Sequence, residues 1–133
     1  GGGGAPEMAA QCQQIFIVMP QSRRAFVERL DFLTTRGHGA GGDERQRMGL
    51  RTSGPVKVIT DLCVMEPDRE SRELTVTSLH PSVTRDQAQS ATGWSLRFAA
   101  DVPETAPPTD EELAVLRQLR LETENAHKAK EPA

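Results

Sequence analysis

The sequence predicts an α/β layered domain, on three observations. Stretches with helical and with strand character alternate along the chain. Apolar runs at residues 15–19 and 56–66 are too short for core helices and are rich in β-branched residues. Two polar-faced segments near the C-terminal end open on residues suited to cap a helix.

Taken in order, residues 1–4 are a glycine run, followed by Pro6 and a set of helix formers. Proline is favoured in a first helical turn, so a glycine-rich loop is expected to open into a short helix over residues 5–14. Residues 15–19 are apolar at every position and are closed by Pro20, which predicts a buried strand of the parallel kind. Residues 21–35 mix helical and strand spacing and read as part strand, part irregular. Residues 36–54 hold six glycines among charges and read as a long polar loop, a length that usually carries function or motion.

Residues 56–66 give the clearest strand signal, with Val56, Val58, Ile59, Leu62, Val64 and Met65. After a polar turn, residues 73–79 are again extended, so the pair predicts an antiparallel hairpin. Thr84 followed by Gln87 has capping-box spacing for a helix over 84–92, and Gly93 is placed to stop it. Residues 94–98 read as a last short strand. A proline-rich link leads to a second helix over 110–127, capped by Thr109 and opened by Asp110, Glu111 and Glu112, which suit the positive end of its dipole. Its apolar side, with Leu113, Val115, Leu116, Leu119 and Leu121, reads as core or subunit interface.

Composition narrows the function. The 133 residues suit one compact domain or part of a larger one. Hydrophobic residues make up 36% and aromatics 4%, a thin supply of large core side chains that burial against a partner would supplement. The 16 basic and 19 acidic residues are interspersed, so no basic stripe points to nucleic acid. No apolar run has the length of a bilayer span, so no membrane role is expected. Nor does a charged stretch followed by an apolar one suggest a leader. Cys12 and Cys63 make neither a disulfide framework nor a metal set, and read as packed thiols in a reducing, cytoplasmic setting. The chain opens on Gly1, within what reads as structure, which points to a fragment, a cleaved product or part of a longer chain.

Three further segments carry a family resemblance. They are Val58-Ile-Thr-Asp-Leu-Cys-Val-Met-Glu-Pro-Asp68, Glu73-Leu-Thr-Val-Thr-Ser-Leu-His-Pro-Ser-Val-Thr84 and Ala91-Thr-Gly-Trp94. With the opening Gly1-Gly-Gly-Gly-Ala5, this ordered set resembles the β subunits of family I CoA-transferases, over residues 1 to about 127. Phe26-Val-Glu-Arg-Leu-Asp-Phe-Leu-Thr34 with Gly37-His38 looks most like the branch that includes 3-oxoadipate CoA-transferases. Ser82 stands where the family more often has glycine. The family's catalytic glutamate lies in a "SENG"-like motif upstream of the glycine loop, and no such motif is present here.

The resemblance implies that residues 1–127 are the C-terminal half of a β-subunit domain, with 128–133 a disordered tail. It implies part of an open, mostly parallel layered sheet with a C-terminal hairpin and helix. The implied activity moves CoA between carboxylic acids, from succinyl-CoA to 3-oxoadipate in the nearest branch, through a glutamyl-CoA intermediate whose glutamate lies outside this chain. No permanently bound cofactor is implied, and coenzyme A is a substrate. The implied partners are an α subunit, often in a heterotetramer, and the missing N-terminal half of the β subunit; the other ligands are acyl-CoA and carboxylates.

Such chemistry develops negative charge on a thioester or anhydride oxygen, which fixed backbone amides stabilise. Gly2, Gly3 and Gly4 are the candidates for that oxyanion loop; the alternative is a flexible spacer. Arg23 and Arg24 are candidates for a substrate carboxylate or a CoA phosphate, against a solvated surface pair. His38 is a candidate to line the substrate cleft, against an ordinary loop histidine. His80 reads as a structural turn residue and Trp94 as a core plug. Two other functional classes remain open: a non-catalytic or truncated interaction partner of an α-like subunit, and a small module that binds sugar phosphates.

Overall fold

The computed structural model describes residues 3–128. Its elements are α1 (Ala5–Gln11), β1 (Ile15–Val18), α2 (Glu44–Arg47), β2 (Pro55–Ile59), β3 (Cys63–Pro67), β4 (Leu74–Leu79), α3 (Arg85–Ser90), β5 (Arg97–Phe98) and α4 (Asp110–Lys128). The strands form one open sheet in the order β1-β2-β3-β4-β5. β1 and β2 run parallel, β2–β3 and β3–β4 antiparallel, and β4–β5 parallel. The α/β class and open sheet follow the expectation, while the pairing is mixed, with parallel junctions at its two edges and a hairpin pair at its centre.

The single strand expected over 56–66 is two strands. Thr60 breaks it: its hydroxyl accepts from the backbone N–H groups of Leu62 and Cys63 at 3.0 and 2.9 Å, which folds the chain back within three residues. A side chain that bonds its neighbours' amides competes with the ladder, so strand propensity on both flanks does not carry through the turn. The expected antiparallel pairing with residues 73–79 is present as β3–β4. The stretch 21–35 forms no strand; it is turns and bends.

One face of the sheet carries the core. Val58 of β2, Cys63 and Met65 of β3 and Val76 of β4 are buried there with Phe26, Ala88 of α3 and Leu96. The alternation of Cys63 and Met65 is the period-two signature of a strand covered on one side. Trp94 packs against this cluster, with its ring 6.0 Å from Phe26 in a stacked pose. β1 departs from the expected fully buried strand: Ile15 and Ile17 turn inward, whereas Phe16 and Val18 are 57% and 74% exposed. Within the described residues nothing covers that second face.

α3 starts as expected, with Thr84 and Gln87 exchanging capping-box bonds of 3.2 and 2.7 Å. Thr109 and Glu112 repeat the device at α4. No residue of α4 is buried, so its apolar side is not part of the core of this chain. Lys128 is helical rather than part of a tail, and residues 129–133 lie outside the described residues.

Candidate functional site

The end of α1, the 36–54 segment and the approach to β2 meet around one side chain, Arg45. Arg45 is 4% exposed. Its Nε donates to the Thr52 carbonyl at 2.8 Å and its Nη1 to the Gly37 carbonyl at 2.8 Å. Its Nη2 donates to the Ala9 carbonyl at 3.2 Å and to the Thr52 hydroxyl at 2.5 Å. Thr52 in turn donates to the Ala10 carbonyl at 3.0 Å. The last carbonyls of a helix have no partner within it. Here two of them, on Ala9 and Ala10, are satisfied from residues 36 and 42 positions further on.

Two cavities flank this side chain. One, of about 400 Å³, is lined by His38, Arg45, Arg51, Ser53, Glu66 and Arg72 among others. The second, of about 340 Å³, lies between Pro6, Ala9 and Ala10 of α1 and the strip that holds Leu33, Met48 and Leu50. The first is the more polar and cationic, since Glu66 is already paired with Lys57 at 3.0 Å. His38 lines it, with Nε2 2.6 Å from the Pro55 carbonyl. A carbonyl can only accept, so Nε2 carries the proton.

The other sequence candidates are not gathered here. Gly3 and Gly4 form the turn before α1; both are exposed, Gly3 has φ +56°, and a Cβ on either would meet nothing within 4 Å. Gly2 lies outside the described residues. Gly4 is the N-cap of α1 and its carbonyl accepts from Met8 at 3.1 Å. Arg23 and Arg24 are exposed on the turn after β1 and line neither cavity. Among the described residues, no three of His, Cys, Asp and Glu converge as metal ligands. Among the described residues, no helix is long and apolar enough to cross a membrane.

A second polar cluster lies under the β2–β3 turn. Gln21, 6% exposed, donates to the Ala88 carbonyl and the Thr92 hydroxyl and accepts from the Thr60 hydroxyl at 2.8 Å and the Cys63 thiol at 3.2 Å. His80 bridges the Thr60 carbonyl at 2.8 Å and the Thr105 hydroxyl at 2.7 Å, the structural role expected of it. Burial pushes the Cys63 thiol above its ordinary pKa. It is a packed thiol, as expected; Cys12 is not, since it is exposed at the end of α1.

The pattern of the coenzyme A transferase family matches residues 1–91. The chain belongs to that family. It is 54% identical to the β-type subunit of 3-oxoadipate CoA-transferase from Pseudomonas knackmussii over 127 residues, 96% of this chain and 49% of that protein. Its fold is that of glutaconate coenzyme A-transferase from Acidaminococcus fermentans, with a TM-score of 0.77 and 25% identity over 88% of this chain and 45% of that one. IpdAB of Rhodococcus jostii RHA1 is similar too, with a TM-score of 0.75 and 27% identity over 88% of this chain and 46% of that one. The chain thus spans about half the length of the relatives it matches.

Sequence spacing singles out neither Arg45 nor Thr52. Arg45 stands in the run Asp43-Glu44-Arg45-Gln46-Arg47, where nothing in the local pattern separates it from the exposed Arg47. Arg51 and Arg72 were missed for the same reason.

Proposed function

We propose that this chain is part of an acyl-CoA transferase that moves CoA between carboxylic acids, with succinyl-CoA as donor and 3-oxoadipate as acceptor. The single observation that supports it best is the 54% identity to a 3-oxoadipate CoA-transferase β-type subunit across nearly the whole of this chain. The nucleophile would be a glutamate outside the chain, as the family resemblance implies.

The chemistry is covalent catalysis by a carboxylate. The glutamate attacks the acyl-CoA carbonyl and expels CoA as thiolate, leaving an acyl-glutamyl anhydride. The thiolate attacks the glutamyl carbon of that anhydride, giving glutamyl-CoA and releasing the donor carboxylate. The acceptor carboxylate then attacks glutamyl-CoA and expels the thiolate, leaving an acceptor–glutamyl anhydride. The thiolate attacks the acceptor's acyl carbon of that anhydride, giving the new acyl-CoA and releasing the glutamate. Each attack places negative charge on a carbonyl oxygen, where oriented N–H groups lower the barrier.

The residues of this chain suited to that role are Gly2, Gly3 and Gly4. The open space around the Cα atoms of Gly3 and Gly4 leaves room for a substrate oxygen to approach the backbone. His38, which lines the more polar of the two cavities beside Arg45, would line the substrate cleft. Arg23 and Arg24, exposed on their turn, would meet a substrate carboxylate or a phosphate of CoA. An α subunit and the rest of the β subunit would complete the site.

The test is turnover by the complete subunit, assembled with its partner and carrying Gly3→Val. A β-branched residue at φ +56° cannot hold the turn without strain. Turnover should fall by about two orders of magnitude, the effect of losing an oxyanion donor. Undiminished turnover would remove the glycine turn from the mechanism.

A further inference from the structure

We propose that Arg45 is a positioning residue: it clamps the glycine-turn helix and the Gly37–His38 segment to the start of β2, and so sets the geometry between the two cavities. This rests on the transferase reading, and it concerns a residue that touches no reacting atom.

Arg45 is a buried cation, yet each of its four bonds runs to a neutral oxygen. Its neighbour Glu44 is occupied elsewhere, with Arg36 at 3.8 Å and the Ala40 amide. A buried charge without a counter-ion is costly. What offsets it is the end of α1, where carbonyls carry the negative pole of the helix. The four oxygens come from three segments: Ala9 in α1, Gly37 in the loop that carries His38, and Thr52 ahead of β2. Further bonds continue the same seam, from Ser53 N–H to the Gln13 carbonyl at 3.0 Å and from Ile15 N–H to the Gly54 carbonyl at 2.9 Å.

The planar fork of a guanidinium is what makes this possible. Its donors point in fixed directions within one plane and reach three strands of backbone at once. A lysine ammonium is a point charge that would reach one or two. Arg45 also walls both cavities, so its removal would both loosen α1 and merge the two spaces. No other side chain bonds both α1 and the His38 loop among the described hydrogen bonds.

The experiment uses the complete subunit assembled with its partner, as wild type and as Arg45→Lys and Arg45→Ala. Steady-state turnover and hydrogen exchange are measured on each. Arg45→Lys should lower kcat by about 10- to 100-fold, the cost of a small misplacement of catalytic groups. KM for the acyl-CoA should stay within about twofold, because a positioning residue acts on the orientation of the reacting groups rather than on ground-state binding. Amide exchange should accelerate in residues 5–15 and 36–39 and stay unchanged in β3 and β4. Wild-type kcat in Arg45→Lys, or faster exchange spread over the whole sheet, would overturn the proposal; the second result would mark Arg45 as an ordinary folding residue. If the wild-type assembly transfers no CoA, the transferase reading fails, and with it the catalytic part of this inference. The exchange pattern, which needs no substrate, then still supports or overturns the clamp.

Discussion

Gly54 lies against the face of the Arg45 guanidinium: a Cβ on Gly54 would stand 2.9 Å from both Cζ and Nε. Gly54 also has φ +72°. Space and backbone therefore both demand glycine. Gly54→Ala should destabilise the chain by about 1–3 kcal/mol, as overpacking against a fixed group does. Chemical denaturation of the variant checks this; an unchanged midpoint would mean that the guanidinium is not seated over residue 54.

Ser82 is held at φ +66°, in the left-handed region that favours glycine. Ser82→Gly removes that strain but gives the unfolded chain more freedom. The net expectation is a gain of up to about 1 kcal/mol. A thermal melt that shifts downward instead would show that the serine side chain contributes something at this turn.

The two thiols should differ sharply. Cys12 is exposed, while Cys63 is fully buried and its pKa is raised by desolvation. Thiolate is the reactive form, so burial and a raised pKa both slow Cys63. At neutral pH one thiol per chain should react quickly with an alkylating probe, and the second only on unfolding. Two fast thiols would contradict the placement of Cys63.

Glu112 caps α4 by accepting from the Thr109 backbone N–H and hydroxyl at 2.7 and 2.9 Å, and those bonds hold its pKa below the ordinary glutamate value. A depressed folded pKa contributes stability above the unfolded pKa, and the contribution is lost as pH falls through the folded one. The first turn of α4 should therefore fray on the acid side of the usual glutamate range, read by carboxyl NMR titration of Glu112. Thr109→Ala should bring its midpoint back up toward the ordinary value. A midpoint that does not move would show that the hydroxyl adds nothing to the backbone N–H bond of residue 109.

Much of this fold was legible locally. The capping boxes at Thr84 and Thr109 are short-range chemistry, and both are present. The β3–β4 hairpin follows from two extended runs with a polar link. What the sequence hid depends on contacts far along the chain. Gly93 was expected to end α3 by its backbone freedom; instead a Cβ there would meet the Phe26 carbonyl at 2.7 Å, so it is small because another backbone passes close by. The turn at Thr60 interrupts a run that propensity alone would keep extended. The open face of β1, with Phe16 and Val18, could not be told from a buried one by apolar content.

The candidate site was legible to a lesser degree. The glycine turn was visible because glycine runs are rare and carry backbone meaning. His38 stands out as a lone histidine in a polar loop; the structure places it beside a cavity, hydrogen-bonded to the Pro55 carbonyl. Arg45 was invisible because its role depends on backbone carbonyls, one of them, on Ala9, 36 positions away, which leave no trace in side-chain spacing.

The most direct measurement follows both CoA and acyl groups in one reaction. The complete subunit with its partner is given succinyl-CoA and 3-oxoadipate, and the thioesters are quantified by mass spectrometry. A transferase makes one 3-oxoadipyl-CoA for each succinyl-CoA consumed, with no free CoA accumulating. Release of free CoA to solvent, or consumption of succinyl-CoA that does not depend on 3-oxoadipate, would contradict it.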